Sequence, residues 1–355
     1  MATIRQVASH AGVSIGTVSK VLNGRDEKVD PAAKARILGS IRTLRYKPPA
    51  FEQNQKAAIA HNLGMIVPDL MEHPLRRHGY LHLLLDGVLE RAASRGWSVT
   101  IFAETMWDDV GNAVRRKYDG KCDGLVAAAP QPNRDIVASL HQRGVPLVQV
   151  GTTAWIDDVS SVDIDNFEAG RLVAQHLIDL GHRRLGFLAH HQNQVSGQER
   201  FAGFRSVAGD DVYFLCEERG ETTEDLARRF AAMGPNRPTA FMAWHDSLAA
   251  EFYVALQKLG IKVPEDVSLA GVDNSQDGIE AGLSLTTIDN PLHRLGLLAA
   301  DMTINRVLDP TLPREIIKLP PRLLVKESTA SPKPETSLLP WTRKNPCQTT
   351  KDDVR

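Results

Sequence analysis

Cysteine is scarce: the 355 residues contain three, Cys122, Cys216 and Cys347, widely separated and odd in number. That argues against a disulfide framework and for reduced thiols, and no CxxC or Cys/His spacing supplies a metal-ligand set. No apolar run is long enough to span a bilayer, and the N-terminus lacks the basic-then-apolar pattern of a signal peptide. The expectation is therefore a soluble, cytoplasmic protein that engages no membrane. The phosphate-binding GxxxxGK[ST], the GxSxG elbow and HExxH are all missing, while His190 and His191 lie adjacent without metal-ligand spacing. No enzyme and no cofactor are expected. No repeat of solenoid length is apparent, and no leucine heptad follows the body to support a tetramer-forming tail.

What is present begins at the N-terminus, where IRQVASHAGVSIGTVSKVLNG reads as a helix, a tight turn and a second helix. Thr3 can cap the first helix with Gln6 three positions on, Ile4, Val7, Ala8 and Ala11 share one face, and Gly12 ends it. Ser14 is placed to cap the second helix, whose Val18, Val21 and Leu22 form a buried stripe while Ile15, Gly16, Thr17 and Lys20 point elsewhere. Asp30 and Pro31 open a third helix, and its Ile37, Leu38, Ile41 and Leu44 close a small core. An ordinary helical hairpin would share these caps and spacings, so periodicity alone does not decide for DNA. Charge favours it. Residues 1–56 hold 10 Lys+Arg against 4 Asp+Glu, net +6, and the remainder holds 32 against 39, net −7. A basic head on an acidic body suits phosphate neutralisation and predicts binding that weakens steeply with salt.

The length fits such a head plus a two-lobed body. Residues 1–46 are expected to form the head, 47–61 (KPPAFEQNQKAAIAH) a polar hinge or linker, 62–329 the body, and 330–355, rich in Pro, Ser, Thr and Lys, a disordered tail. From Leu63 the texture changes to LGMIVPD, an apolar run typical of a buried parallel strand. A first series follows, with helices near 80–95, 109–119 and 134–143 alternating with WSVTIF, DGLVAA and PLVQVG. A second series has helices near 167–180, 198–206, 222–233 and 246–259, alternating with RLGFLA, VYFLC, TAFMAW and VSLAGVD. The fold class expected is an all-α head plus an α/β body of two doubly wound parallel-sheet lobes, with a cleft between them.

Four stretches in order carry a specific resemblance: the head motif above, LRYKP in the linker, VDIDNFEAGRLVAQHLIDLGHRRLGFL in mid-body, and GIKVPEDVSLAGVDN followed by LTTIDNP. Over Thr3 to about Thr329 the chain resembles the LacI/GalR (lactose-repressor) family of bacterial transcription regulators. The resemblance implies a homodimer whose two heads read a roughly palindromic double-stranded operator, mostly as a repressor. It also implies bodies of periplasmic-binding-protein type holding a small sugar-like effector between their lobes. The base-contacting positions of the family fall on Ile15 and Gly16, with Lys20 one turn later. Ile15 suits a thymine methyl, Gly16 reads nothing by side chain, and Lys20 suits guanine O6 and N7. Thr3, Ser14, Thr17, Asn23 and Tyr46 match phosphate-holding positions, though Ser14 and Thr17 serve equally well as caps. Dimerisation is expected along Leu81, Leu84, Leu85 and Val88 of the first body helix, part of which must pack on the protein's own sheet.

The linker departs from the family pattern. Where the family has Tyr-x-Pro-Asn and then Ala-Arg-x-Leu, a hinge helix whose leucine wedges into the minor groove, this chain reads YKPPAFEQNQ. Pro49 replaces the Asn, Glu52 and Gln53 the Ala-Arg, and Gln55 the leucine, leaving Phe51 as the one bulky apolar side chain nearby. In the body the effector positions fall on Arg200 within QERFAGFR and Asp273 within GVDN, groups that suit sugar oxygens or a base edge. Asp165 and His245 match two further cleft positions. Each has a plainer role open to it, Asp165 as a helix cap and His245 at a strand end. The Arg76, Arg77, His78 cluster stands where the family has stacking aromatics, so Arg76 is either an anion-selecting ligand or part of a solvated loop. A free-standing solute-binding protein is the rival reading; the head argues against it.

Overall fold

The computed structural model describes residues 2–22, 28–44, 46, 59–67, 79–102, 121–128, 136–142, 144–151, 159–190, 195–217 and 220–333. The expected helix near 109–119, the hinge substitutions and Cys347 lie outside these.

The head folds as its caps dictate. Thr3 is extended, its hydroxyl accepts the Gln6 amide at 3.3 Å, and the Gln6 side chain accepts the Thr3 amide at 2.7 Å, closing a capping box on α1 (Ile4–Ala11). Gly12 ends α1 at φ 66°, a left-handed backbone that a side chain would strain. Ser14 Oγ accepts the Thr17 amide at 3.1 Å and so caps α2 (Ile15–Leu22). Asp30 accepts the Ala33 amide at 3.0 Å ahead of Pro31, where α3 (Pro31–Thr43) begins. Val7, Ala8, Ala11, Val18, Val21, Ile37, Ile41 and Tyr46 pack into one core, and Arg36 Nε donates to the Ala11 carbonyl at 3.2 Å, tying α3 to α1.

The body runs β1 (Asn62–Ile66), α4 (Gly79–Ser94), β2 (Ser98–Phe102), β3 (Gly124–Ala128), α5 (Ile136–Gln142), β4 (Leu147–Val150), β5 (Ser160–Ile164), α6 (Asn166–Asp179), β6 (Leu185–Ala189) and α7 (Val195–Ala208). It continues with β7 (Tyr213–Cys216), α8 (Thr223–Ala232), β8 (Ala240–Ala243), α9 (Asp246–Lys258), β9 (Ser268–Val272), α10 (Asp277–Glu280), β10 (Thr286–Asp289), α11 (Leu292–Leu308), β11 (Ile316–Leu319) and β12 (Arg322–Leu324). The strands form two six-stranded sheets, in the orders β11-β5-β4-β3-β1-β2 and β12-β10-β9-β8-β6-β7, and the chain divides into two compact units. Strands β3 to β6, β8 and β9 are buried along their whole length, as parallel strands covered on both faces must be. β12 pairs antiparallel with β10 at one edge.

Two expectations change. The lobes do not follow one another in sequence: β11 returns to the first sheet after β6 to β10 of the second are in place. The first body helix, moreover, buries Leu81, Leu84 and Val88 completely within its own chain, so these three cannot serve a partner; of the expected stripe Leu85 stays half-buried, and Leu89 is 44% exposed.

In the second unit α6 and α7 meet backbone to backbone. A Cβ on Gly170 would stand 1.9 Å from the Arg200 carbonyl oxygen, and one on Gly203 1.8 Å from that of Phe167. This contact sets the start of α6 against the middle of α7. Hydrogen bonding also continues past Thr329, the expected end of the body. The Ala330 amide donates to Ser268 Oγ at 3.0 Å and Lys333 Nζ reaches Asp266 at 2.7 Å. His182 Nε2 donates to the Ala330 carbonyl at 2.9 Å, and burial lowers its pKa to about 4, leaving the ring neutral.

Candidate DNA-reading head and effector site

Within the head, α2 turns Ile15, Gly16 and Lys20 outward, with Ile15 43% exposed although it is a large apolar side chain. An exposed isoleucine beside an exposed lysine on a capped helix is the surface a major-groove reader needs. The hydroxyls of Thr3, Ser14 and Thr17 are engaged locally: Thr3 with Gln6, and Ser14 with Thr17 at 2.8 Å. Tyr46 differs from its expected place. Its ring is 5% exposed in the head core, its hydroxyl is buried with no partner among the described residues, and burial raises its pKa. The apolar demand of a three-helix core accounts for this, because the ring packs in one buried cluster with Ile37 and Ile41. Asn23 lies outside the described residues.

The body residues singled out from sequence fall in the second unit. Arg200, on α7, is 5% exposed; its Nε donates to Asn166 Oδ1 at 2.9 Å and its Nη1 to the Trp244 carbonyl at 2.6 Å. These bonds fix the plane of the guanidinium, and Nη2 makes no bond among the described residues. Asp273 follows β9 at φ 118° with Asn274 at φ 53°, a strained pair of the kind that clusters at functional sites. The Asp273 amide donates to the Ile288 carbonyl at 3.0 Å, and its Oδ1 accepts from Asn290 Nδ2 at 3.0 Å, which holds the carboxyl in place. Burial raises the Asp273 pKa, and the positive charge of Arg200 partly offsets that rise.

Asp165 and His245 take the plainer roles. Asp165 Oδ1 accepts the Glu168 amide at 2.9 Å as the cap of α6. His245 Nδ1 accepts the Leu248 amide at 3.1 Å as the cap of α9, with its ring 5.2 Å from that of His190. Arg76 lies outside the described residues.

Several groups of this cluster went unread in sequence. Asp163, two residues before Asp165, is 2% exposed; it accepts the Ile164 amide at 2.7 Å and Asn166 Nδ2 at 2.7 Å. Burial pushes its pKa up to about 7 against the pull of Arg200. Asp246 is likewise raised to about 7, by burial and then by Asp273, while Thr287 Oγ1 and the Ser275 amide donate to it at 2.6 and 2.9 Å. Tyr80 is raised well above its usual range by burial and by Asp163 and Asp273. An acid between Val162 and Ile164 was the available signal, since aspartate is disfavoured in a buried strand without a task. One fixed guanidinium among buried carboxyls, amides and a phenol can donate to and accept from a polyhydroxylated ligand.

An exposed basic reading helix, carried on the same chain as two α/β units with a buried polar cluster, defines a DNA-binding protein with a ligand-binding body. The family described as bacterial regulatory proteins, lacI family, matches residues 3–49, and the periplasmic binding protein-like domain matches residues 174–329. The chain belongs to the lacI family and is a DNA-binding transcriptional regulator rather than a free-standing solute-binding protein. It is 28% identical over 349 residues to the HTH-type transcriptional repressor PurR of Photobacterium profundum, covering 92% of this chain and 98% of that one. It is 29% identical over 343 residues to the ribose operon repressor of Escherichia coli, covering 92% and 100%. Among solved structures, the transcriptional regulator CelR–cellobiose complex superposes with a TM-score of 0.70 at 26% identity, over 92% of this chain and 100% of that one. A LacI family regulator from Enterococcus faecium with bound ribose shares the fold at a TM-score of 0.65 and 23% identity, over 77% and 100%. Among the described residues no helix is long and apolar enough to cross a membrane.

Proposed function

We propose that this protein is a cytoplasmic, homodimeric repressor, without catalytic activity, that binds a roughly palindromic operator and releases or retains it according to a bound sugar-like effector. Lys20 and Ile15 read base edges, with Thr3, Ser14, Thr17 and Asn23 as the positions matched to phosphate contact, while Tyr46 serves the head core. Arg200 and Asp273 hold the effector. The matched position His245 adds its ring, and Asp165 and Arg76 complete the matched set. The domain limits adopted are 1–46 for the head, 47–61 for the linker, 62–329 for the body and 330–355 for the tail.

The observation that carries effector control is the Arg200 guanidinium, buried and locked by Asn166 and the Trp244 carbonyl, with Nη2 making no bond among the described residues and its charge felt by Asp273. A buried donor fixed in this way is preorganised for one ligand oxygen. The related regulators solved with bound cellobiose or ribose support a sugar, and carboxyls outnumbering the one guanidinium favour neutral hydroxyls over an anionic ligand. Binding then shifts the population between DNA-competent and incompetent dimers, typically by 5- to 150-fold in affinity. The test is fluorescence anisotropy on operators from neighbouring genes, with pentoses, hexoses, disaccharides and nucleobases added in turn. One of them should change operator affinity at least about fivefold, and Arg200→Ala should abolish that response while leaving ligand-free DNA binding intact. An effector response that survives Arg200→Ala refutes the site.

A further inference from the structure

We propose that the second unit holds another ligand site, for a small oxyanion, at the N-terminal ends of its parallel strands. A cavity of about 270 Å³ is lined there by Arg184, Gly234, Pro235, Arg237, Thr239 and Asp266. Arg184 directly precedes β6, Thr239 precedes β8 and Asp266 lies just before β9, whereas Trp244, His245 and Asp273 follow β8 and β9 at their other ends. Four or five residues of strand, about 3.3 Å each, separate the two groups.

Arg184 is the anomaly. It is 5% exposed, and its Nε, Nη1 and Nη2 are all buried with no acceptor among the described residues. A guanidinium carries five N–H donors, and a buried charge without a counter-group is among the costliest arrangements in a folded protein. Its main chain cannot retreat, because the Arg184 carbonyl accepts the Thr239 amide at 2.9 Å. Arg237 adds a second positive charge at the same cavity, its Cζ held 5.2 Å from the centre of the Phe230 ring. The one carboxylate in the lining, Asp266, is already engaged by Lys333 Nζ at 2.7 Å and by the Lys262 amide at 2.9 Å. The site has donors and positive charge in excess, and the Arg184 guanidinium has no acceptor among the described residues. Phosphate or a carboxylate supplies that acceptor by forked hydrogen bonds to arginine. The volume lies below the usual range for a drug-sized ligand and suits a small anion with its waters.

The experiment is isothermal titration and thermal shift of the full chain in anion-poor buffer, with inorganic phosphate, sulfate and acetate as separate probes at matched ionic strength. Phosphate should bind saturably in the millimolar range or tighter and raise Tm by mass action. Arg184→Met should weaken it at least about tenfold and Arg237→Ala several-fold. In phosphate-free buffer Arg184→Met should melt no lower than wild type, because an unpaired buried charge has gone, and it should retain operator binding. Preference for acetate over phosphate identifies a carboxylate ligand and still supports the oxyanion site. Non-saturable binding, or equal phosphate responses in wild type and Arg184→Met, overturns it. Where Arg184→Met fails to fold, Arg237→Ala decides: unchanged phosphate affinity overturns the proposal.

Discussion

A buried carboxyl raised to about 7 makes the second unit answer to pH within the physiological range. Asp163 and Asp246 both stand there, far above the 3.8 of a free aspartate, because burial disfavours their charge. The folded protein thus keeps protons that the unfolded chain has released. The resulting contribution is fully present below about pH 4, is lost as pH rises to about 7, and amounts to a few kcal/mol per carboxyl at most, by the usual ~1.4 kcal/mol per pK unit. Asp163→Asn, which cannot ionise, should therefore gain in Tm relative to wild type between about pH 5 and pH 8, measured by scanning calorimetry. A difference that stays flat with pH would contradict the raised pKa. Lys20→Ala should cost about 1–3 kcal/mol of operator affinity but far less on scrambled DNA, which a competition assay resolves. At this scale the sequence was half legible. Position within a resembled motif was enough to bring out Arg200 and Asp273. Asp163 and Asp165 look interchangeable in DIDN, and only the start of α6 decides that one caps a helix while the other is buried beside Asn166.

At the scale of elements, caps and glycines did most to fix boundaries and spacing. Thr3, Ser14 and Asp30 each accept the amide expected of them, so the three head helices begin where their local chemistry says. Thr3→Ala should destabilise the head by about 1 kcal/mol, seen as earlier melting in its circular dichroism signal. Gly203 has a different task, since its α-carbon faces the Phe167 carbonyl across the α6–α7 contact. Gly203→Ala should push the helices apart and cost on the order of 3 kcal/mol in urea denaturation, together with effector affinity, because Arg200 and Asn166 sit on those two helices. Neutral behaviour would mean the contact is looser than described. The elements missed from sequence were β5, α10, β10, α11, β11 and β12. Serines and threonines fill SSVDI and TTID, so no apolar run announces those strands; Ser160, Ser161, Thr286 and Thr287 are nevertheless buried, paired through the sheet or its neighbours.

For the whole molecule, a formal charge near zero conceals a +6 head on a −7 remainder. Operator affinity should fall steeply and log-linearly with salt, with a slope of about −0.9 per phosphate neutralised. Binding that ignores salt between low and physiological ionic strength would remove the electrostatic basis for the head. The two-lobed class was legible in the strand–helix alternation, but the order of assembly was not, because a return crossing leaves no mark on local periodicity. That crossing has a consequence for synthesis. The first sheet lacks its edge strand β11, and α4 lacks the α11 backbone that packs on it at Gly87 and Gly296, until residue 319 has been made. Nascent chains usually fold from the N-terminus onward as each domain leaves the ribosome. Here the first sheet must wait, with β5 uncovered, until β6 to β10 of the second have been made, so the two sheets complete together.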